Sequence, residues 1–164
     1  MNTDIGQTLQ LSTSYYYYAG FNNWVDIYLT ITKLENNMMS FNMRHYTNND
    51  SSYSAQVLYG AAQIYINGSI VFQSSAYANY RKNSLLFSHS GVYVLSYNPT
   101  DRFVNFTLTC RYSIASRNAL NVTQNFTISI DRYKLDLYID GHKMNDVYMN
   151  GVKANKVFFN GQQL

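Results

Sequence analysis

One cysteine, one proline, one tryptophan and one glutamate are spread over 164 residues. Each scarcity removes a class of explanation. The lone cysteine, Cys110, cannot close an intrachain disulfide or complete a Cys-based zinc site. A chain of this length buries roughly two thirds of its unfolded surface, so it can fold without either. Cys110 sits in the alternating stretch Phe103–Tyr112, which predicts a buried core thiol rather than a reactive one. With one proline and eight glycines, no flexible linker stands out. No segment approaches the ~20 apolar residues of a membrane span. Met1–Gly6 lacks the basic start and apolar run of a signal peptide. The expectation is synthesis in a cytoplasm and no membrane partner.

Charge is also scarce, at 13% of residues, and the net charge is only +3. Arg81-Lys82 is the one basic dipeptide, so the clustered basic stripe of a nucleic-acid binder is missing. Carboxylates are few. Glu35 lies beside a turn, Asp50, Asp101 and Asp140 fall in turns, and Asp26 suits the outer face of a strand. Nothing recommends the carboxylate pair, about 5–10 Å apart, that a glycosidase needs. His45, His89 and His142 lie far apart and without metal-ligand spacing. Ser84 and Ser88-His89-Ser90 put hydroxyls near an imidazole, but no Gly-x-Ser-x-Gly elbow accompanies them. Phosphate loops and dinucleotide fingerprints are absent. The expectation is no enzyme, no catalytic residue, no metal ligand and no cofactor.

What the chain has in abundance is tyrosine, 17 residues of it, within an aromatic content of 16%. Asn, Ser and Thr fill most remaining polar positions. This is the palette of β-sandwiches and of wet recognition surfaces. Strand signals run almost throughout. Thr8–Tyr15 alternates polar and apolar. Val25–Thr32 does so with Val25, Ile27, Leu29 and Ile31 on one face. Asn36-Asn37 reads as a turn into Met39–Arg44, with Met39, Phe41 and Met43 inward. Gln63–Phe72 is a hairpin turning at Asn67-Gly68. Val92–Tyr97 is a strand closed by the turn Asn98–Asp101. Phe103–Tyr112 and Val122–Ile130 follow, joined through Ser116–Asn118. The polar stretches 47–54 and 74–84 read as loops. The fold class expected is all-β: an antiparallel β-sandwich, jelly-roll or Ig-like, over residues 1–131.

Residues 132–164 differ. Leu137–Lys143, Val147–Lys153 and Val157–Gln162 repeat with a period of ten, each turning at Asp-Gly or Asn-Gly. Those dipeptides suit two-residue type I′ hairpins. A short C-terminal β-meander or stack of hairpins is expected, as an appended assembly element.

Binding chemistry concentrates in two places. Tyr15–Tyr18 places two rings on each face of a strand, and Trp24 follows a Gly-Phe-Asn-Asn turn. A polar stretch carries Tyr77, Asn79, Tyr80 and Arg81. Aromatic rings can stack on the apolar face of a sugar while amides read its hydroxyls; the same groups make protein–protein contacts. Trp24, Tyr77, Asn79, Tyr80 and Arg81 are therefore the candidate saccharide ligands. The alternative for Trp24, and the stronger expectation from the residues alone, is the core.

One family has a similar order of features: Glu35-Asn36-Asn37 ending an apolar strand, Phe41-Asn42-Met43, the Ile64–Gly68 hairpin, Ser88-His89, Asn98–Asp101 and closing Thr/Phe-rich strands. The chain resembles the β-sandwich domains of minor structural and baseplate proteins of siphophages that infect Gram-positive bacteria. The terminal repeat resembles tails at the C-termini of such virion proteins. Met38-Met39 and Asn98–Arg102 depart from that pattern. The resemblance implies a non-enzymatic virion protein of the tail, baseplate or neck, made in the host cytoplasm. Its partners would be other virion proteins and further copies of itself. The alternative is a carbohydrate-binding module that recognises host cell-wall polysaccharide.

Overall fold

The computed structural model describes residues 1–35, 37–52, 56–97 and 103–129, with short strand segments between 137 and 163. The expected turn at Asn98–Asp101 and the turn glycines 141, 151 and 161 lie outside the described residues. Two compact units divide at Ile130/Asp131. No helix occurs among the described residues.

The first unit is an antiparallel-rich β-sandwich of two packed sheets. Its strands are β1 (Asn2–Thr3), β2 (Thr8–Ser12), β3 (Tyr16–Tyr18), β4 (Phe21–Glu35), β5 (Met38–Asn49) and β6 (Gln56–Ile66). They continue with β7 (Ser69–Ser74), β8 (Ala78–Arg81), β9 (Leu85–Val94), β10 (Phe103–Ile114) and β11 (Arg117–Ser129). The first sheet runs β1-β11-β10-β6-β7, with β8 also on β6; the second runs β2-β4-β5-β9, with β3 also on β4. Only β1 with β11 is parallel among the sandwich pairs.

Period-two alternation decides which side chains meet. Val25, Ile27, Leu29 and Ile31 are fully buried, as are Met39, Phe41 and Met43 opposite them on β5. Ile64 and Ile66 of β6, Leu108 and Cys110 of β10 and Phe126 and Ile128 of β11 close the core from the other sheet. Burial pushes the Cys110 thiol up to about 12, so it is an inert core group at neutral pH.

Two turns show how sequence and tertiary context share the work. Asn67 and Gly68 have φ of 49° and 80°, the left-handed pair that a type I′ turn needs. Asn67 also grips β10: its Oδ1 accepts from the Thr107 amide at 2.8 Å and its amide donates to the Thr107 carbonyl at 2.9 Å. The β10–β11 turn, by contrast, sits at Ala115-Ser116, with φ of 47° and 66° and no glycine. The joint expected at Ser116–Asn118 is displaced because both strands run further than their apolar pattern. The Ala115 amide donates to the Leu58 carbonyl at 3.0 Å, so neighbouring β6 carries β10 past Tyr112.

The expected loop 47–54 likewise begins as strand. Thr47 and Asn49 are buried on β5. Thr47 Oγ1 donates to the Arg81 carbonyl at 2.6 Å, which satisfies it inside. Within the stretch expected as a second loop, residues 78–81 form β8, which extends the edge that β7 leaves open on β6.

Among its described residues, the second unit, Asp131–Leu164, has three two-stranded antiparallel pairs. β12 (Leu137–Ile139) pairs β13 (His142–Met144), β14 (Tyr148–Met149) pairs β15 (Val152–Lys153), and β16 (Phe158–Phe159) pairs β17 (Gln162–Gln163). The last described pairs are Ile139↔His142, Met149↔Val152 and Phe159↔Gln162.

Gly91 pairs with Phe41, and a Cβ there would stand 2.8 Å from the Phe41 ring. Alanine at Gly91 is expected to lower unfolding free energy by about 1–3 kcal/mol through that overlap. Urea denaturation of Gly91→Ala checks it; an unchanged midpoint would mean the ring has room to move.

Candidate functional site

The even-numbered residues of β4 up to Thr30 and those of β5 point away from the core, and β2 and β9 extend their face on either side. Strand register sets these side chains in rows. One row is Thr8–Thr30–Asn42–Ser90 and the next is Gln10–Tyr28–Arg44–Ser88. Ser12–Asp26–Tyr46 and Trp24–Asn48 follow. Successive rows are two residues apart, so four rows span about 20 Å along the strands. The surface is concave. A cavity of about 470 Å³ is lined by Gln10, Asp26, Tyr28, Arg44, Tyr46, Asn48 and Asn83. A second, of about 510 Å³, continues past Thr30, Asn42, Ser88 and Ser90 and shares Tyr28 and Arg44 with the first.

The middle of this face is held rigidly. Asp26, 7% exposed, accepts from Ser12 Oγ at 2.6 Å and from Asn48 Nδ2 at 2.8 Å. The rings of Tyr28 and Tyr46 meet edge to face at 5.6 Å, and Trp24 meets Tyr15 the same way at 5.1 Å. Below, on the opposite sheet, the Tyr59 hydroxyl donates towards the carbonyls of Trp24 and Asn48, at 3.4 and 3.3 Å. Burial, and then the Asp26 charge, push the Tyr59 hydroxyl well above its ordinary range, so it stays a donor. Arg44 is exposed and has no ion-pair or hydrogen-bond partner among the described residues. The face therefore offers three half-buried rings, several amides and one unpaired guanidinium.

The five residues expected to bind do not converge. Trp24 is on the outer face of the second sheet and half-buried, not in the core, because Val25 takes the inward position beside it. Tyr77, 44% exposed, covers Gly60 of the first sheet. A Cβ on Gly60 would fall 1.9 Å from the Tyr77 ring, and the Ser113 hydroxyl donates to the Tyr77 oxygen at 3.2 Å. Tyr80 packs against the core, edge-on to Tyr59 at 6.4 Å. Asn79 and Arg81 are exposed on β8, and the Arg81 carbonyl anchors Thr47. Sequence reasoning passed over Gln10, Tyr28, Arg44, Tyr46 and Asn48. The available signal was aromatic residues at the outward positions of strands already recognised.

His45 and His89 join a ring cluster inside the sandwich. His45 is fully buried, stacks on Phe87 at 4.2 Å and shares a 2.6 Å hydrogen bond through Nδ1 with the Tyr112 hydroxyl. Its Nε2 has no partner. His89 stacks on Phe72 at 4.5 Å with both ring nitrogens unpartnered. Among the described residues no group of three or more His, Cys, Asp or Glu could hold a metal ion. Burial, helped by neighbouring His89, pulls His45 down to about 3, and burial lowers His89 too.

No protein-family model matches the chain, and no curated protein or solved structure matches it significantly. The functional reading therefore rests on the chain's own geometry and residues.

Both imidazoles fold neutral, with proton affinities below the ordinary value of 6.5. Their stabilising effect is fully present above about pH 6.5 and is lost as pH falls towards about 3, where His45 titrates in the fold. Stability should fall by up to about 1.4 kcal/mol per pH unit across that window through His45, and His89 adds to the fall in the same direction. Urea titrations between pH 7 and 4 measure it, and His45→Phe should flatten the slope. An equal slope in that variant would put the acid sensitivity elsewhere.

Proposed function

We propose that this chain is a non-enzymatic phage virion protein, and that the outer face of its second sheet holds a host cell-surface saccharide. The observation that carries the binding part is the Tyr28–Tyr46 pair, with Trp24 two rows from Tyr28, set among Gln10, Asn42 and Asn48. Rings of this kind stack on the apolar face of a sugar, and amides meet its hydroxyls as both donors and acceptors. The concave, polar-aromatic surface suits a chain-like ligand lying along the strands. Asp26 and Asp50 are each held by two neutral donors, from Ser12 and Asn48 and from Asn22, which suits scaffolding better than proton transfer. The virion part is supported by the resemblance in strand order and terminal repeat.

An assembly role is favoured by separate features. Isolated two-stranded hairpins are marginal in water, so the three in Asp131–Leu164 gain from a partner. On the sandwich, edge strand β9 exposes Val92 at 61% and Val94 at 67%, and Met38 pairs with Val94 beside them. An apolar cluster at a sheet edge suits contact with other virion proteins or with further copies of this chain.

The full chain on a glycan array should show selective binding. Replacing Tyr28 and Tyr46 together by alanine should weaken it by roughly tenfold or more. Tyr77→Ala, on the opposite face, should leave it unchanged. A silent array sinks the saccharide reading, and loss of binding in the Tyr77 variant would move the site.

Deleting residues 135–164 should lower the oligomer mass seen by light scattering while array binding persists. A truncated chain that assembles like the full chain would remove the assembly role from the C-terminal unit.

A further inference from the structure

We infer that the saccharide held by this face carries an acidic group, and that Arg44 is the residue that selects it. The inference rests on the saccharide reading above and adds the ligand's charge to it.

Arg44 stands where the two cavities meet, between Tyr28 on β4 and Ser88 on β9. It is exposed and has neither ion pair nor hydrogen bond among the described residues. The nearest acidic side chain by register is Asp26, diagonal to it across β4 and β5. That carboxylate is not available to Arg44 in the way a surface partner would be. It is nearly buried, and each of its oxygens already accepts a hydrogen bond, one from Ser12 and one from Asn48. The positive charge that a ligand meets on this face is therefore open, while the negative charge is withdrawn beneath neutral donors.

The turn after β8 reaches the same surface through Asn83. Asn83 lines the first cavity and follows Arg81-Lys82, the chain's one basic dipeptide. The turn is fastened to β5: the Asn83 amide donates to the Thr47 carbonyl at 2.7 Å, and the Thr47 amide donates to the Ser84 carbonyl at 2.9 Å.

A guanidinium presents its donors in a planar fork that matches a carboxylate or a phosphate through two parallel hydrogen bonds. With Tyr28 opposite Arg44, a sugar ring stacked on the tyrosine would place an acidic substituent over the guanidinium. The occupant that fits is a saccharide chain bearing one oxyanion per repeat, either a uronate carboxylate or a sugar phosphate.

The sole tryptophan, Trp24, lies on this face and gives a fluorescence readout with the full chain. Oligogalacturonate would be titrated against its neutral methyl ester, and phosphorylated dextran against dextran. In at least one of these pairs the acidic member should bind about fivefold or more tightly at low salt, and the preference should fade in 1 M salt. The pair that shows the preference identifies carboxylate or phosphate. Arg44→Gln should bring the acidic-to-neutral ratio close to one. Equal affinities within both pairs, or a ratio that survives in Arg44→Gln, would overturn the acidic selection and leave saccharide binding standing. Failure of all four polymers, together with a silent glycan array, would overturn both.

Discussion

The register between β4 and β5 is the constraint on which the rest of this protein depends. Twelve residue pairs, from Asn23↔Asn49 to Glu35↔Met38, are aligned with one irregularity after Ile31. Because side chains alternate, that single alignment sends Val25, Ile27, Leu29, Met43 and His45 inward and Trp24, Tyr28, Arg44 and Tyr46 outward. A slip of one residue would exchange the two sets and leave neither a core nor a binding face. Burial on one side therefore positions the recognition groups on the other.

Buried polar groups make the arrangement specific. Asp26 is stitched to β2 by Ser12 and to β5 by Asn48. Fully buried Asn23 donates to the carbonyls of Tyr18 and Phe21 at 2.9 Å, which holds the short β3 strand of the tyrosine run against β4. Tyr59 and Tyr112 reach across the sandwich, one to the carbonyls beneath the Trp24–Asn48 row and the other to His45. Removing one partner from such a contact leaves a buried group unsatisfied, which costs more than the bond contributes. Asn23 Oδ1 and the nitrogens of His45 and His89 are left without partners; the imidazoles are tolerated because a neutral imidazole packs as an aromatic ring among Phe41, Phe72 and Phe87.

Much of the fold was legible residue by residue. The inward sets of β4 and β5, the Asn67-Gly68 turn, the buried thiol and the ten-residue hairpin period all follow from alternation and turn chemistry. Errors gathered where polar residues occupy strands. Thr47 and Asn49 are polar yet buried, and residues 78–81 pair as an edge strand although only Ala78 and Tyr80 alternate with polar residues there. The candidate site was less legible. Tyr77 and Tyr80 have the composition of a binding loop, but one ring covers Gly60 and the other packs on Tyr59. The tyrosines that share a face, Tyr28 and Tyr46, are eighteen positions apart in the chain, and nothing local marks them as neighbours.

By itself, the sequence determined the all-β class, the faces of the long strands and the Asn67-Gly68 turn. These depend on the pleat and on which residues tolerate a left-handed backbone, and both are local properties. The tertiary structure alone decided which outward residues stand side by side, that Trp24 lies on a surface, and that Arg44 faces solvent while Asp26 does not. Those outcomes depend on the pairing of distant strands and on the desolvation that follows, which no stretch of neighbouring residues encodes.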